Sequence, residues 1–436
     1  MKKILFGLTL LIAGMSATQA QEKIKYVEYD LPNGLHVILH EDHSTPIVAV
    51  SIMYHVGSKN EDPSRTGFAH FFEHLMFEGS ENISRGEYSN YVEKAGGMLN
   101  ANTSQDRTFY YDLLPSNQLE LGLWLESERL MHAKIDSTGI ATQREVVKEE
   151  KRQRVDNQPY GSFQQEIMSH AYKVHPYQWV PIGSMEDLNA ATDEEFVAFY
   201  KKFYVPNNAC LSIAGDINIK KTKKMIKAYF GDIPKGAKIE PLNIVEPIKT
   251  AQVRDTIYDN IQLPAVMMGF HSPALGTDDA YAMDMVSKIL SQGSSSRLNK
   301  RIVEEDQQAV FVGAFPFPLE DPGIFIAFSI VNADVKPDVV EKSIMEEITK
   351  LQTELISDKE FEKLQNQVEN DVVSGYSSQA GIAENLAQYY MYYDDTELIN
   401  TEIKKYQAVT RQDIMNAAKK YLTANNSVVL YYLPKK

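Results

Sequence analysis

The chain is short of cysteine. Its 436 residues hold one, Cys210, so no disulfide can form within it, and no cysteine stands near the N-terminus to carry a lipid. Long apolar runs are scarce too: past residue 20 no stretch reaches the about eighteen residues that suggest a membrane span. Positive charge is in deficit, with 44 Lys and Arg against 59 Asp and Glu and a formal net charge of −15. That balance argues against nucleic acid and anionic membrane as partners. What is left is a large acidic chain, long enough for two or three domains and able to bury a core without covalent staples.

The first twenty residues read as an export signal. Lys2 and Lys3 are the charged start, Ile4 to Ala13 the apolar core, and Thr18-Gln19-Ala20 a small-residue cleavage site. Cleavage after Ala20 is expected, with the mature chain in a periplasm or, as the alternative, secreted.

The densest chemistry lies in HFFEHLMFEG, His70 to Gly79. On a helix, positions i, i+3 and i+4 share a face, so His70, Glu73 and His74 project together. Thr66 is the expected cap, Gly79 the stop, and Phe68, Phe71, Phe72, Leu75 and Met76 the apolar faces. Two imidazoles so placed can hold one zinc ion, with Glu73 beside any water the ion carries. The plainer reading is two satisfied histidines on a half-buried helix. A third ligand is required, and TQREVVKEEKRQRVDNQPYG, read as a helix from about Thr142 to Arg154, offers Glu145, Glu149 and Glu150. Spacing alone does not choose among them.

Along the chain, YVEYDL and LHVILHED alternate around Pro32-Asn33-Gly34 as a hairpin, and IVAVSIMYHV reads as an interior strand. A helix at about 85–95 leads through Gly96-Gly97 to MLNANTSQDRTFYYDLL, two strands with a turn near Asn102 to Asp106. SNQLELGLWLESERLMHA reads as an amphipathic helix. An internal repeat follows. Thr192 to Asn208 lies ungapped on Thr410 to Asn426, with the threonine, the acidic fourth residue, the Lys-Lys pair and the Asn-Asn pair coinciding. An offset this long suits a duplicated domain rather than a solenoid. The Pro/Lys-rich seam from Pro234 to Pro247 separates expected domains 21–240 and 248–436. The second repeats the strand–helix start, LPAVMMGFHSP then AYAMDMVSKILSQ, without the histidine pair, and its His271 reads as an ordinary strand-end histidine. The expected fold class is α+β: two homologous domains, each a mainly antiparallel sheet with helices packed on one face.

H-x-x-E-H is the inverzincin order, and nearly the whole mature chain resembles the M16 family of zinc peptidases. The likeness is nearest to the short, two-domain subfamily that includes the mitochondrial processing peptidase. The resemblance implies that each chain forms one half of a clamshell and carries one zinc. Aligned on Arg144 and Val147, it makes Glu150 the third ligand beside His70 and His74, with Glu73 the catalytic base. The residue before Arg144, in the family a glutamate that supports the metal ligands without touching the metal, is Gln143 here. It also implies that the strand near Met98 to Thr103, with Asn100, Ala101 and Asn102, is an edge strand that pairs with a peptide substrate.

The family's substrate-binding arginine and tyrosine follow an S-S-R-L start. Ser295-Ser296-Arg297-Leu298 fits it, but the arginine place is Val303 and the tyrosine place Val310, with Arg301 two residues early. The expected function is therefore an exported zinc metalloendopeptidase paired with a homologous chain that supplies the Arg/Tyr pair. The alternative is a non-catalytic scaffold or peptide-binding subunit.

Overall fold

The computed structural model describes residues 23–435; the expected signal segment, residues 1–20, lies outside them. Strands β1 (Val27–Asp30), β2 (His36–Glu41), β3 (Ile47–Tyr54), β4 (Met98–Thr103), β5 (Thr108–Pro115) and β6 (Ala209–Gly215) form one sheet, ordered β1-β2-β6-β3-β5-β4. Strands β7 (Val253–Asp259), β8 (Ala265–His271), β9 (Ala309–Phe317), β10 (Ile324–Val331) and β11 (Ser427–Pro434) form the second, ordered β7-β11-β8-β10-β9. The helices of the first half are α1 (Phe68–Leu75), α2 (Glu87–Lys94), α3 (Leu119–Met131), α4 (Ser137–Lys151), α5 (Phe163–Ala171), α6 (Met185–Ala190), α7 (Asp193–Phe203) and α8 (Ile219–Phe230). Those of the second are α9 (Asp278–Ser291), α10 (Pro337–Thr353), α11 (Asp358–Gly375), α12 (Gln379–Tyr393), α13 (Leu398–Ala408) and α14 (Arg411–Tyr421). Residues 234–250, between the halves, are neither helix nor strand.

The sheets share one plan once β1 is set aside. A parallel pair (β2/β6, β7/β11) is followed by three antiparallel pairings, ending on edge strands β4 and β9. The sequence repeat is the local form of this plan. Thr192 and Glu195 cap α7 reciprocally, as Thr410 and Asp413 cap α14. Asn208 then donates to Phe203 O (2.9 Å) and His55 O (3.3 Å), and Asn426 to Tyr421 O (2.7 Å) and His271 O (2.8 Å). Each asparagine ties a helix end to a strand end, which is why the pair recurs. His271 ends β8, as expected, and its Nε2 meets Ala171 O at 2.9 Å.

Each sheet has its own helices on one face and a helix from the other half on the other. Ile382, Ala383, Leu386 and Ala387 of α12 pack on Ile38, Ala49, Met53 and Cys210 of the first sheet. Ile167, Met168 and Ala171 of α5 pack on Met267, Val428 and Leu430 of the second. Double cover explains the nearly continuous apolar runs of β3, β6 and β8. It adds to the one-face packing expected from sequence a burial that joins the halves, worth about 1.5–3 kcal/mol per fully buried aliphatic side chain.

A polar cluster also bridges them. Buried Lys59 lies 2.9 Å from Asp106 and contacts Glu320 of the β9–β10 loop, while His55 meets Glu320 at 2.9 Å and His175 meets Asp321 at 3.3 Å. Burial alone would raise Glu320, but His55 and Lys59 outweigh it and hold the carboxyl down at about 2. A depressed folded-state pKa gives stability that is present above the ordinary carboxylate range and lost as pH falls towards 2. Glu320→Gln should therefore lower the melting temperature at pH 7, and its gap from wild type should close between about pH 4.5 and 2. A gap independent of pH in thermal melts would contradict this reading.

Candidate metal centre and peptide cleft

α1 is built by its apolar side. Phe68 and Phe71 pack on Phe196 of α7 with ring centroids 4.5 and 4.6 Å apart, the first stacked and the second tilted, and Phe72 stacks on Phe199 at 5.0 Å. That leaves His70, Glu73 and His74 turned towards α4 and β4. The helix start differs from the sequence expectation. Thr66 bonds Asp187 instead, and Gly67 takes the N-cap place in the left-handed region. The buried Glu61 carboxylate accepts from Gly67 N (2.9 Å) and Ala69 N (2.8 Å). A capping acceptor six residues upstream is invisible to a local capping rule. The helix ends at Leu75. Gly79 makes the following turn at φ +124°, where a Cβ would meet Ile83 O at 2.5 Å.

Asp136 caps the start of α4, its side chain accepting from Gly139 N at 2.8 Å. Arg144 pins it by donating to Leu188 O (2.9 Å) and Ala191 O (3.0 Å), and Val147 is buried against α1's core. Two of its three glutamates face solvent: Glu145 pairs with Lys148 at 2.8 Å, and Glu149 with Arg152 at 2.9 Å. The third turns inward. Glu150 Oε2 lies 3.1 Å from His74 Nε2 and 3.5 Å from His70 Nε2. Among the described residues, His70, His74 and Glu150 form the one trio of His, Cys, Asp or Glu whose ligand atoms all lie within 4.8 Å of one another.

Two imidazoles and a carboxylate are a zinc donor set. Glu150 Oε2 is buried with no hydrogen bond of regular geometry. Burial, then the neighbouring His74, pushes His70 below the ordinary imidazole range, and the His74 imidazole holds Glu150 below the ordinary carboxylate range. A neutral imidazole and an ionised carboxylate are the forms that ligate, so these residues fit a zinc ion.

Glu73 stands beside the trio. Burial lifts its carboxyl above the ordinary range, and Thr103 Oγ1 donates to it at 2.6 Å. Thr103 went unnoticed in the sequence, although strand alternation turns Leu99, Ala101 and Thr103 of β4 towards α1. Arg154 was passed over as well; it pairs with the outer oxygen of Glu150 at 2.6 Å. Gln143, two turns before Glu150, donates to Glu78 and makes no hydrogen bond to either histidine among the described residues.

β4 is the edge of its sheet. Ala101 and Asn102 line a cavity of ≈ 680 Å³ together with His70, Glu73 and Glu150, whereas Asn100 turns its side chain back to accept from Ala101 N at 2.9 Å. The second half closes the cavity with Met267, Phe317, Phe328 and Ile330. Among the described residues it brings no cation there. Arg297 is held by Glu360 (2.7 Å), and Arg301 by Glu346 and Glu347. Val303 packs against the second core, and Val310 is exposed on β9.

Comparison with known proteins places these features. The family model described as Insulinase (Peptidase family M16) matches residues 36–180, which include all four candidate site residues. The model described as Peptidase M16 inactive domain matches residues 190–368. A zinc protease of Helicobacter pylori, PqqE, is 29% identical over 439 residues, covering 99% of each chain. An uncharacterized zinc protease of Rickettsia felis is 26% identical, covering 90% of this chain and 94% of its own. The crystal structure of a protease from Helicobacter pylori superposes with a TM-score of 0.90 at 28% identity, covering 94% of this chain and 99% of its own.

The geometry separates the three glutamates of α4 by experiment. Glu150→Ala should drop bound zinc well below one ion per chain, while Glu145→Ala and Glu149→Ala keep it. Metal analysis of the purified variants checks this, and equal zinc in all three would count against the trio.

Proposed function

Because this chain belongs to the M16 family of peptidases, we propose that it is an exported zinc metallopeptidase that cleaves peptides or small unfolded proteins. In this reading its two domains are 21–240 and 248–436, and export rests on Lys2, Lys3 and the apolar run behind them. The observation that carries the reading is the close trio His70, His74 and Glu150, with Glu73 lining the same cavity as His70 and Glu150.

His70, His74 and Glu150 would hold one zinc, which supplies Lewis acidity and makes a water acidic near neutrality. Glu73, whose carboxyl burial raises above the ordinary range, takes the proton of the attacking water and returns it to the leaving amine. Thr103 fixes the orientation of that carboxylate. The edge of β4 holds the peptide extended through main-chain hydrogen bonds, so sequence preference from that strand is loose.

Among the described residues, no side chain that the second half puts into the cavity can donate to a developing oxyanion: its lining there is Met267, Phe317, Phe328 and Ile330. Missing such donors costs about 10²–10³ in rate. We therefore assign the arginine and tyrosine to a homologous partner chain. The purified chain with zinc should turn over a peptide at least about a hundredfold more slowly alone than with that partner. Full turnover alone would reject the pairing. Glu73→Gln should keep zinc and abolish cleavage; a protein that binds the peptide and never cuts it, with or without a homologous chain, would instead be a peptide-binding subunit.

A further inference from the structure

The second sheet turns an incompletely covered apolar face towards the cavity. Strand register puts Phe311, Phe315 and Phe317 of β9 on the same face as Phe328 and Ile330 of β10 and Met267 of β8. On the β8–β11 side α5 covers this face so closely that a Cβ at Gly269 would lie 2.8 Å from Ile167. Towards β9 and β10 the cover thins. Phe317, Phe328 and Ile330 line the cavity that also holds His70, Glu73 and Glu150, and Phe311 at the strand's far end is 46% exposed. At the centre of β10 the opposite face is closed: Phe325 and Ala327 are fully buried.

Phe328 is the centre of this wall. Its ring lies 5.0 Å from Phe311, 6.0 Å from Phe315 and 6.2 Å from Phe163, which reaches over from the first half. Directly across the ladder is Gly313, where a Cβ would stand 3.0 Å from the Phe328 ring. A side chain there would crowd the ring, so the glycine leaves it room beside the cavity that it lines. Apolar surface held open to water is unfavourable unless something covers it.

We propose that this wall is a side-chain subsite that takes a bulky apolar residue, phenylalanine or leucine in class, of the peptide that β4 holds extended. It rests on reading the cavity as a peptide-cleaving site. The two halves divide the work: the first supplies the polar groups and the strand edge, and the second supplies an aromatic surface that discriminates by size and apolarity. Phe328 and Ile330 are its specificity-determining residues. The main-chain pairing at β4 is indifferent to side chains, so this wall is where preference arises.

The test uses two fluorescently labelled Gly/Ser peptides that differ only in one central residue, Phe or Ala. Binding to the whole zinc-loaded chain carrying Glu73→Gln is read by anisotropy, and cleavage is read with the unsubstituted chain and its homologous partner. The Phe peptide should bind roughly tenfold tighter or more. Adding Phe328→Ala or Ile330→Asn should shrink that ratio to within about twofold, with zinc content unchanged. Ile330→Asn alters the rim without opening the packed interior, so it decides the matter if Phe328→Ala fails to fold. Equal binding of the two peptides, or a preference that survives Ile330→Asn, overturns the subsite. A Phe preference that responds to both substitutions, without cleavage by the paired chain, sinks the hydrolase reading and leaves the subsite standing.

Discussion

One carboxylate reaching across two helices is the constraint on which the rest depends. Glu150 approaches both imidazoles only because α1 and α4 are each fixed on their far sides. The phenylalanines of α1 are locked into α7, and Glu61 satisfies the first amides of the helix. Arg144 fastens α4 to the carbonyls around α6. Beneath α1, Tyr110 donates to Phe72 O and lies 4.1 Å under the guanidinium of Arg129, a cation buried among Phe77, Tyr88 and Glu126. Such a buried ion pair adds little net stability, but losing one partner is severe.

Duplication gave two halves one scaffold and divided their tasks. The helix-to-strand joints are the same down to the asparagine that ties each one, and the strand ends carry His55 in one half and His271 in the other. Only the first half has a histidine pair on the helix that follows. The second lost nothing structural in lacking it, because a sheet and its helices do not need polar groups at that place. The exchange of α5 and α12 makes the halves one body, which lets apolar strands of the second line the cavity of the first.

Much of this was legible in the chain itself. The i, i+3, i+4 spacing of His70, Glu73 and His74 has a fixed geometric consequence, and the Thr–acidic capping pairs and Asn-Asn turns recur because each satisfies the same orphan backbone groups. Other features were hidden because local patterns do not encode them. The α3 segment reads as an amphipathic helix, yet Glu126, Glu128 and Arg129 are buried, because Arg129 pairs with Glu126 and Glu128 accepts from Ser80 and Asn82. Thr66 looked like a cap while the actual acceptor, Glu61, lay outside the capping window. The inward turn of Glu150, in contrast to Glu145 and Glu149, depends on how α4 is rotated against α1. No spacing rule holds that information; the family resemblance did. Thr103 reaches Glu73 only through the sheet order that sets β4 beside α1.

The most direct test is anomalous diffraction at the zinc edge from crystals of the zinc-loaded protein. The account predicts one anomalous peak per chain, within about 2.0–2.2 Å of a nitrogen of His70, a nitrogen of His74 and an oxygen of Glu150. A peak bound elsewhere, or one held by the two histidines with Glu150 turned away and no other carboxylate in its place, would contradict it.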